Sequence, residues 1–488
     1  MFLRFFCVSD AGEKKGVFRV NRFLCGNPHG IKLSIDKMMN LWYKKRVKFY
    51  FLNNLGNGVD DLETPAYYRK LLDMAVMAGT IMIASGAETH RVEDTLHRIL
   101  GTSGFEHAEA FVLTTGLIVT LSDPSSETLS ISQRVTDCSQ NFGRVADVNA
   151  VSRDFCSGKI TLDEAVAKLR VIKTKERYNK FLWHIGYILA TMGFCITFGG
   201  SFLDAFGAFF CGLAVSVIVL DLGPKIGRGF VTTILASAAL TLLATGISYF
   251  GAKGFSLTLH THYIIVGAIM PLVPGLAMTN AFRDILHGDY LASGSRIIEA
   301  LMVAVCVAIG IGAGMAGADI LGLAETLTIS LDLSVHNALE FFIAALSSGV
   351  AVLGFCLVFK APPKYLFACS LNAFLAWSVY LAVDILGWGG LWATFFSTLV
   401  ADVFAYYGAR VLKAPVVLFL VAGILPMVPG VGIYQGVHSL IFGGDAASIL
   451  ISAFMSTGVI ALAIFVTDTA LDIERRIYLN ILKWKKKA

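Results

Sequence analysis

Ile269-Met270-Pro271-Leu272-Val273-Pro274-Gly275 is the stretch whose reading decides the fold, because the chain repeats it as Ile424-Leu425-Pro426-Met427-Val428-Pro429-Gly430. Each copy sits inside an apolar segment long enough to cross a membrane. Proline has no backbone donor and clashes with the preceding turn, and glycine adds backbone freedom. Two prolines three residues apart, followed by glycine, therefore break or kink a helix. In lipid the freed N–H and C=O groups need partners inside the protein or in a water-filled cavity. Matched interruptions in corresponding places of two halves point to the substrate site of a transporter. A single copy would read as a packing kink; two equivalent copies favour a functional element.

Composition supports a membrane chain. Of 488 residues, 56% are hydrophobic and only 15% charged, with mean hydropathy +0.68; soluble domains carry about 25% charged residues. The net charge of +5 is modest, and its distribution says more than its sum. The nine cysteines show no C-x-x-C spacing, so they imply neither a zinc site nor a disulfide framework. His260 and His262 are too few for a metal site, and nothing points to a cofactor or to nucleic acid.

Residues 1–64 hold Lys14, Lys15, Lys44, Lys45, Arg46 and Lys48 among apolar runs too short to span. They read as a basic, disordered cytoplasmic tail, with Met38 or Met39 as alternative starts. Residues 65–175 read as a small cytoplasmic α/β domain. A helix is predicted over 67–84. Ser85-Gly86-Ala87-Glu88 has capping-box spacing and predicts a second helix. Val92, Leu96 and Ile99 line one face of it, and Glu88, Arg91, Thr95 and Arg98 another. Strands follow at 108–114, 117–121 and 128–135, and Thr161-Leu162-Asp163-Glu164 is a further capping box, opening a helix that reaches Ile172.

Ten apolar spans follow, at about 182–200, 202–221, 230–250, 262–281, 296–316, 338–359, 365–386, 390–410, 415–436 and 447–470. Loops on one side hold Lys225, Arg228, Arg283, Arg296, Lys360, Lys364, Arg410 and Lys413; those on the other hold only Lys253. By the positive-inside rule both termini, including the basic tail at 471–488, are cytoplasmic. The two proline motifs are 155 residues apart, and the same offset carries most first-half spans (182–316) onto second-half spans (338–470). Five spans per copy is an odd number, so the copies must be inverted, a geometry suited to alternating access.

These residues resemble the threonine/serine exporters. The segment 85–96 (SGAETHRVEDTL) is similar to the signature of that family's cytoplasmic domain. Phe198-Gly199-Gly200-Ser201 with Asp204 resembles its first hairpin. The VPG motif with Thr279-Asn280, Arg283-Asp284, Gly288-Asp289 and Ser293-Gly294 resembles its fourth span and following loop. The second half, with PMVPG and Tyr434-Gln435, resembles a shorter partner component that some members carry as a separate chain. The resemblance covers about residues 65–472. It implies a secondary exporter of small amino acids in the plasma (inner) membrane, driven by protons, or a dicarboxylate exporter as in the split members. A homo-oligomer embedded in lipid is compatible with it.

Candidate substrate-binding residues are Pro271, Pro274, Gly275, Thr279, Asn280, Arg283, Asn372, Pro426, Pro429, Gly430, Tyr434 and Gln435. Arg283, with Asp284, His287 and Asp289, reads either as a solvated loop or as a carboxylate guide at the inner mouth. Asn372 could bind substrate or pack between helices. An intramembrane carboxylate is expensive and by default functional, so Asp402 is a candidate for proton coupling. Asp204, Asp221 and Glu299, near span ends, are weaker ones. Glu88, Arg91, Glu93 and Asp94 are either a charged surface helix or a gating motif. No Walker motif, G-x-S-x-G or histidine-rich metal motif indicates an enzyme, although a hydrolase in the α/β domain stays open as an alternative.

Overall fold

The structure is a computed structural model and describes residues 65–123, 126–136, 139–323, 335 and 337–485. The tail read at 1–64 and the end of the chain, 486–488, lie outside these.

The N-terminal part begins with α1 (Pro65–Ala84), with proline in the first turn where its missing N–H costs nothing. Helix α2 (Thr89–Leu100) buries Val92, Leu96 and Ile99, the apolar face its 3.6-residue spacing predicts. Three strands, β1 (His107–Leu113), β2 (Gly116–Asp123) and β3 (Ser126–Arg134), form an antiparallel meander in the order β1-β2-β3. Alternation turns Ala110, Val112, Leu117, Val119 and Leu121 inward. Helices α3 (Phe142–Cys156) and α4 (Leu162–Thr174) complete a core running from Leu71 to Ile172.

The capping box at Thr161 and Glu164 forms as its spacing predicts, with both reciprocal bonds present. The one expected at Ser85 does not. Glu88, not Ser85, is the N-cap of α2, and no side chain caps that helix. The reason is that the Glu88 carboxylate is engaged by two guanidiniums, as described below. Helix α3 lies where no element was anticipated; Asn141 caps it by accepting from the Arg144 N–H at 3.1 Å.

The rest is helical. It comprises α5 (Lys180–Thr197) and α6 (Phe202–Val217, continued by a π-helical turn to Leu222 and one further turn to Ile226), followed by α7 (Gly229–Phe255), α8 (Thr261–Ile269), α9 (Gly275–His287), α10 (Tyr290–Ile320) and α11 (Ala338–Val358). Then come α12 (Leu366–Ile385), α13 (Gly390–Leu412), α14 (Val416–Ile424), α15 (Gly430–Phe442) and α16 (Ala446–Lys485). Among the described residues, six helices are long and apolar enough to cross a membrane, or seven if α14 and α15, bent by 48°, count as one span. The ten expected spans are thus met only in part by length and composition. Lys180 and His184 dilute α5, and Asp402, Tyr406 and Tyr407 dilute α13; α8 and α9 are each short. Helix α16 runs past residue 470, where the last span was expected to end.

The 155-residue offset reappears in the helix boundaries. It carries Thr261–Ile269 onto Val416–Ile424 and Gly275–His287 onto Gly430–Phe442. Packing repeats as well: α5 on α6 and α11 on α12, α7 on α10 and α13 on α16, α9 on α10 and α15 on α16. Between the halves, α5 packs extensively on α11, while α9 meets α16 and α10 meets α15. The α5–α11 seam is backbone against backbone. A Cβ on Gly193 would lie 2.6 Å from the Ala351 nitrogen, and one on Gly354 would meet the Gly186 carbonyl. Small residues permit such close approach between apolar helices, where dispersion rather than water exclusion holds the pair.

Candidate functional site

Both proline motifs interrupt their helices. After α8 the chain makes a tight turn, with the Leu272 N–H donating to the Ile269 carbonyl at 2.8 Å, and α9 restarts at Gly275 with Pro274 as N-cap. In the second copy a 3₁₀ turn, Leu425–Met427, leads to Pro429 as N-cap of α15. The two restarts lie against each other. A Cβ on Gly275 would run into Val428 Cγ1 and sit 3.3 Å from the Gly430 backbone; one on Gly430 would be 2.6 Å from Val273 Cγ2. Only glycine fits this approach from either side. Two helix N-termini, each with orphan N–H groups and a positive dipole end, therefore start beside one another in the buried interior. Pro426 is buried there, and Pro271 and Pro429 are half-buried.

From Gly275, helix α9 carries a polar face at helical spacing: Thr279, Asn280, Arg283 and Asp284, all buried. Thr279 Oγ1 donates back to the Gly275 carbonyl at 3.2 Å. On α15 the equivalent positions are Tyr434, Gln435, His438 and Ser439. Tyr434 is fully buried, and its hydroxyl has no partner among the described residues. Gln435 is half-buried beside it.

The far end of the α9 stripe is occupied by α2. Glu88 pairs with Arg283 through Nη1, with both groups buried, and Arg91 Nε reaches the other Glu88 oxygen at 3.2 Å. Thr89 Oγ1 donates to Asp284 at 3.1 Å and lies 3.4 Å from Asp289. Arg296, on α10, forms an ion pair with Asp284, Nε to Oδ2 at 3.0 Å, and donates from Nη2 to the Ala87 carbonyl at 3.2 Å. Burial alone would raise the Glu88 carboxyl; the guanidiniums of Arg283 and Arg91 overcome it and hold the group at about 2. Glu93 accepts from the Val112 N–H at 3.1 Å and faces Asp289, and burial with that charge pushes it upward. Asp94 makes an exposed pair with Arg98. A second contact fastens the other side of the α/β part. The Phe142 N–H donates to the Phe359 carbonyl at 2.9 Å, and the Tyr178 hydroxyl to the Ala361 carbonyl at 2.6 Å.

The other candidates have diverse surroundings. Asp402 is 1% exposed, and its Oδ2 has no partner among the described residues; Asp468, Arg283, Arg91 and Glu88 are its charged neighbours. Asn372 donates from Nδ2 to the Ala401 carbonyl at 3.1 Å and the Phe419 carbonyl at 2.9 Å, tying α12 to α13 and α14. Asp204 belongs to a capping box with Ser201 and also accepts from the His260 N–H at 2.7 Å. Asp221 pairs with Lys180 and His184 at a half-exposed position, and Glu299 is exposed. The arrangement thus brings the proline motifs, Thr279, Asn280, Arg283 and Glu88 onto one track. Asp204, Asp221 and Glu299 lie off it.

Residues 73–317 match the family described as "Putative threonine/serine exporter", and residues 344–470 match "Threonine/Serine exporter, ThrE". The chain belongs to the threonine/serine exporter family. Its relatives include a "Probable threonine/serine exporter" of Mycobacterium tuberculosis, 24% identical over 78% of this chain and 71% of that one. A "Threonine/serine exporter" of Corynebacterium glutamicum is 21% identical over 82% and 83%. An "Uncharacterized protein" of Haemophilus influenzae is 33% identical over 24% of this chain and 42% of its own. No solved structure matches. Family membership and the long apolar helices make this a membrane protein.

Within this exporter fold, three residues that sequence reasoning passed over join the site. Thr89 and Arg296 hold α2 on α9, and Asp468, on α16, shares a cavity with Arg283. A polar triplet inside SGAETHRVED marked Thr89 in principle. Asp468, near the end of the span expected at 447–470, carried the same signal as Asp204, Asp221 and Glu299, a carboxylate close to a span end.

Proposed function

We propose that this chain is a secondary exporter of small amino acids of the threonine/serine type, driven by the proton-motive force. Its substrate binds where α9 and α15 restart beside each other, and Asp402 takes part in proton coupling. The reading rests above all on the approach of Gly275 to Gly430 between two interrupted helices. Paired N-termini suit a carboxylate. The unwound carbonyls before them suit an ammonium, and Thr279, Asn280, Tyr434 and Gln435 can read a side-chain hydroxyl. Names of the relatives, which speak of threonine and serine, point the same way.

The accompanying topology has ten spans in two inverted five-helix repeats, in the plasma membrane, with both termini and the α/β domain on the cytoplasmic side. The common offset of the helix boundaries and the exchanged α9–α16 and α10–α15 contacts support it. The test is counterflow in proteoliposomes against a panel of amino acids and dicarboxylates. Threonine and serine should exchange; exchange of dicarboxylates alone would refute the assignment.

A further inference from the structure

Beside Arg283 lies a cavity of about 170 Å³, walled by Leu286, Ile464 and Phe465 and carrying Asp468 and Thr469 on α16. It lies far below the ~300–1,000 Å³ of drug-sized sites and suits one small metabolite. Its chemistry is bipolar: a guanidinium, a carboxylate and a hydroxyl on an apolar wall. That set matches an α-amino acid with a short hydroxylated side chain group by group: carboxylate to Arg283, ammonium to Asp468, hydroxyl to Thr469 and methyl to the wall. Asp468 and Thr469 are exposed, unlike the buried helix restarts.

Arg283 is also the partner of Glu88. The Glu88 carboxylate presents to that guanidinium the same chemical group that a substrate would bring. We propose that this cavity is an access site for the zwitterionic substrate, and that Glu88 is a tethered carboxylate which substrate must displace from Arg283 before it moves along α9. The proposal deepens the export reading above and rests on its amino-acid substrate. A group tethered beside its partner acts at an effective concentration in the mM range. Substrate therefore wins only when its own concentration is of that order, which makes α2 a concentration-set latch. Release of Glu88 removes the one ion pair between α2 and α9 and leaves the Thr89 contacts with Asp284 and Asp289 and the Arg296–Ala87 bond among the described residues, so α2 loosens at its first turn.

The experiment is hydrogen exchange of the full chain in nanodiscs, read at residues 92–95, whose amides are the first to be hydrogen-bonded within α2, against rising L-threonine, with counterflow measured in parallel. Exchange should speed up with a midpoint in the mM range. Threoninol, without the carboxylate, and N-acetylthreonine, without the ammonium, should leave it unchanged. Asp468→Asn should raise both the exchange midpoint and the half-saturation of counterflow by about tenfold, the value of one charge-assisted bond. Unchanged exchange at saturating threonine while counterflow proceeds overturns the latch. An Asp468→Asn variant with parental midpoints overturns the access site. Absence of counterflow with any amino acid in the parent overturns the export reading itself, and this proposal with it.

Discussion

Glu88 and Arg283, 195 residues apart in sequence, form a buried ion pair that joins the α/β part to the helix restarting at the first proline motif. Taking two charges out of water is costly, and such a pair holds only with good geometry and further bonds. Arg91 supplies one of these, and Thr89, Asp284 and Arg296 form a bonded shell beside it.

Breaking the pair on one side should therefore cost more than a surface pair would. Glu88→Ala leaves the Arg283 charge buried, at an expected loss of about 3–5 kcal/mol in attachment of the α/β part. Adding Arg283→Ala should recover part of it. Thermal unfolding of the two single variants and the double variant gives the coupling directly; strict additivity would show that the two groups do not depend on each other.

The pH dependence of this attachment has a defined sign. Glu88 is held at about 2, below its ordinary value of 4.5. A depressed carboxyl contributes stability that is present above its unfolded value and lost as pH falls through the folded one. The stability difference between the parent and Glu88→Gln should be flat from pH 5 to 8 and shrink below 4.5. A step between pH 5 and 7 would contradict it.

At the helix restarts, Gly275→Ala and Gly430→Ala each push a methyl into the opposite motif, against Val428 and Val273 respectively. Overpacking of this kind costs about 1–3 kcal/mol, so the variants should reach the membrane. Counterflow should fall at least tenfold. Full counterflow in both would show that the close approach is not needed for transport. The paired changes Pro274 and Gly275 to alanine, or Pro429 and Gly430 to alanine, should restore helical hydrogen bonding and abolish substrate binding.

Asp402→Asn keeps the shape of a buried side chain whose Oδ2 has no partner among the described residues. It should leave counterflow, which needs no gradient, largely intact and remove acceleration by an imposed pH gradient. Parental gradient dependence in the variant would exclude Asp402 from coupling.

Topology is checked with single cysteines in a cysteine-free background. Cysteine at Gly322, after α10, should label from outside the cell, and cysteine at Asp163, at the start of α4, only after permeabilisation. The reverse pattern would overturn the orientation.

The sequence by itself determined the features that depend on neighbours along the chain. Apolar runs gave long helices because the rise of a helix is constant. Prolines at 271, 274, 426 and 429 broke two of them because a missing N–H acts locally, and Thr161 with Glu164 closed a capping box within one turn. Alternation placed the three strands of the meander. Tertiary structure decided what depends on groups far apart. Ser85 and Glu88 had capping spacing, yet the Glu88 carboxylate was drawn to Arg283, since a hydrogen bond between two charged groups is stronger than one between a carboxylate and a neutral backbone N–H. Asn372 became a tie between three helices, and Asp468 arrived beside Arg283 from the last helix. No periodicity encodes such meetings: they arise when helices pack, and packing matches surfaces that lie from 29 to 195 residues apart in these cases.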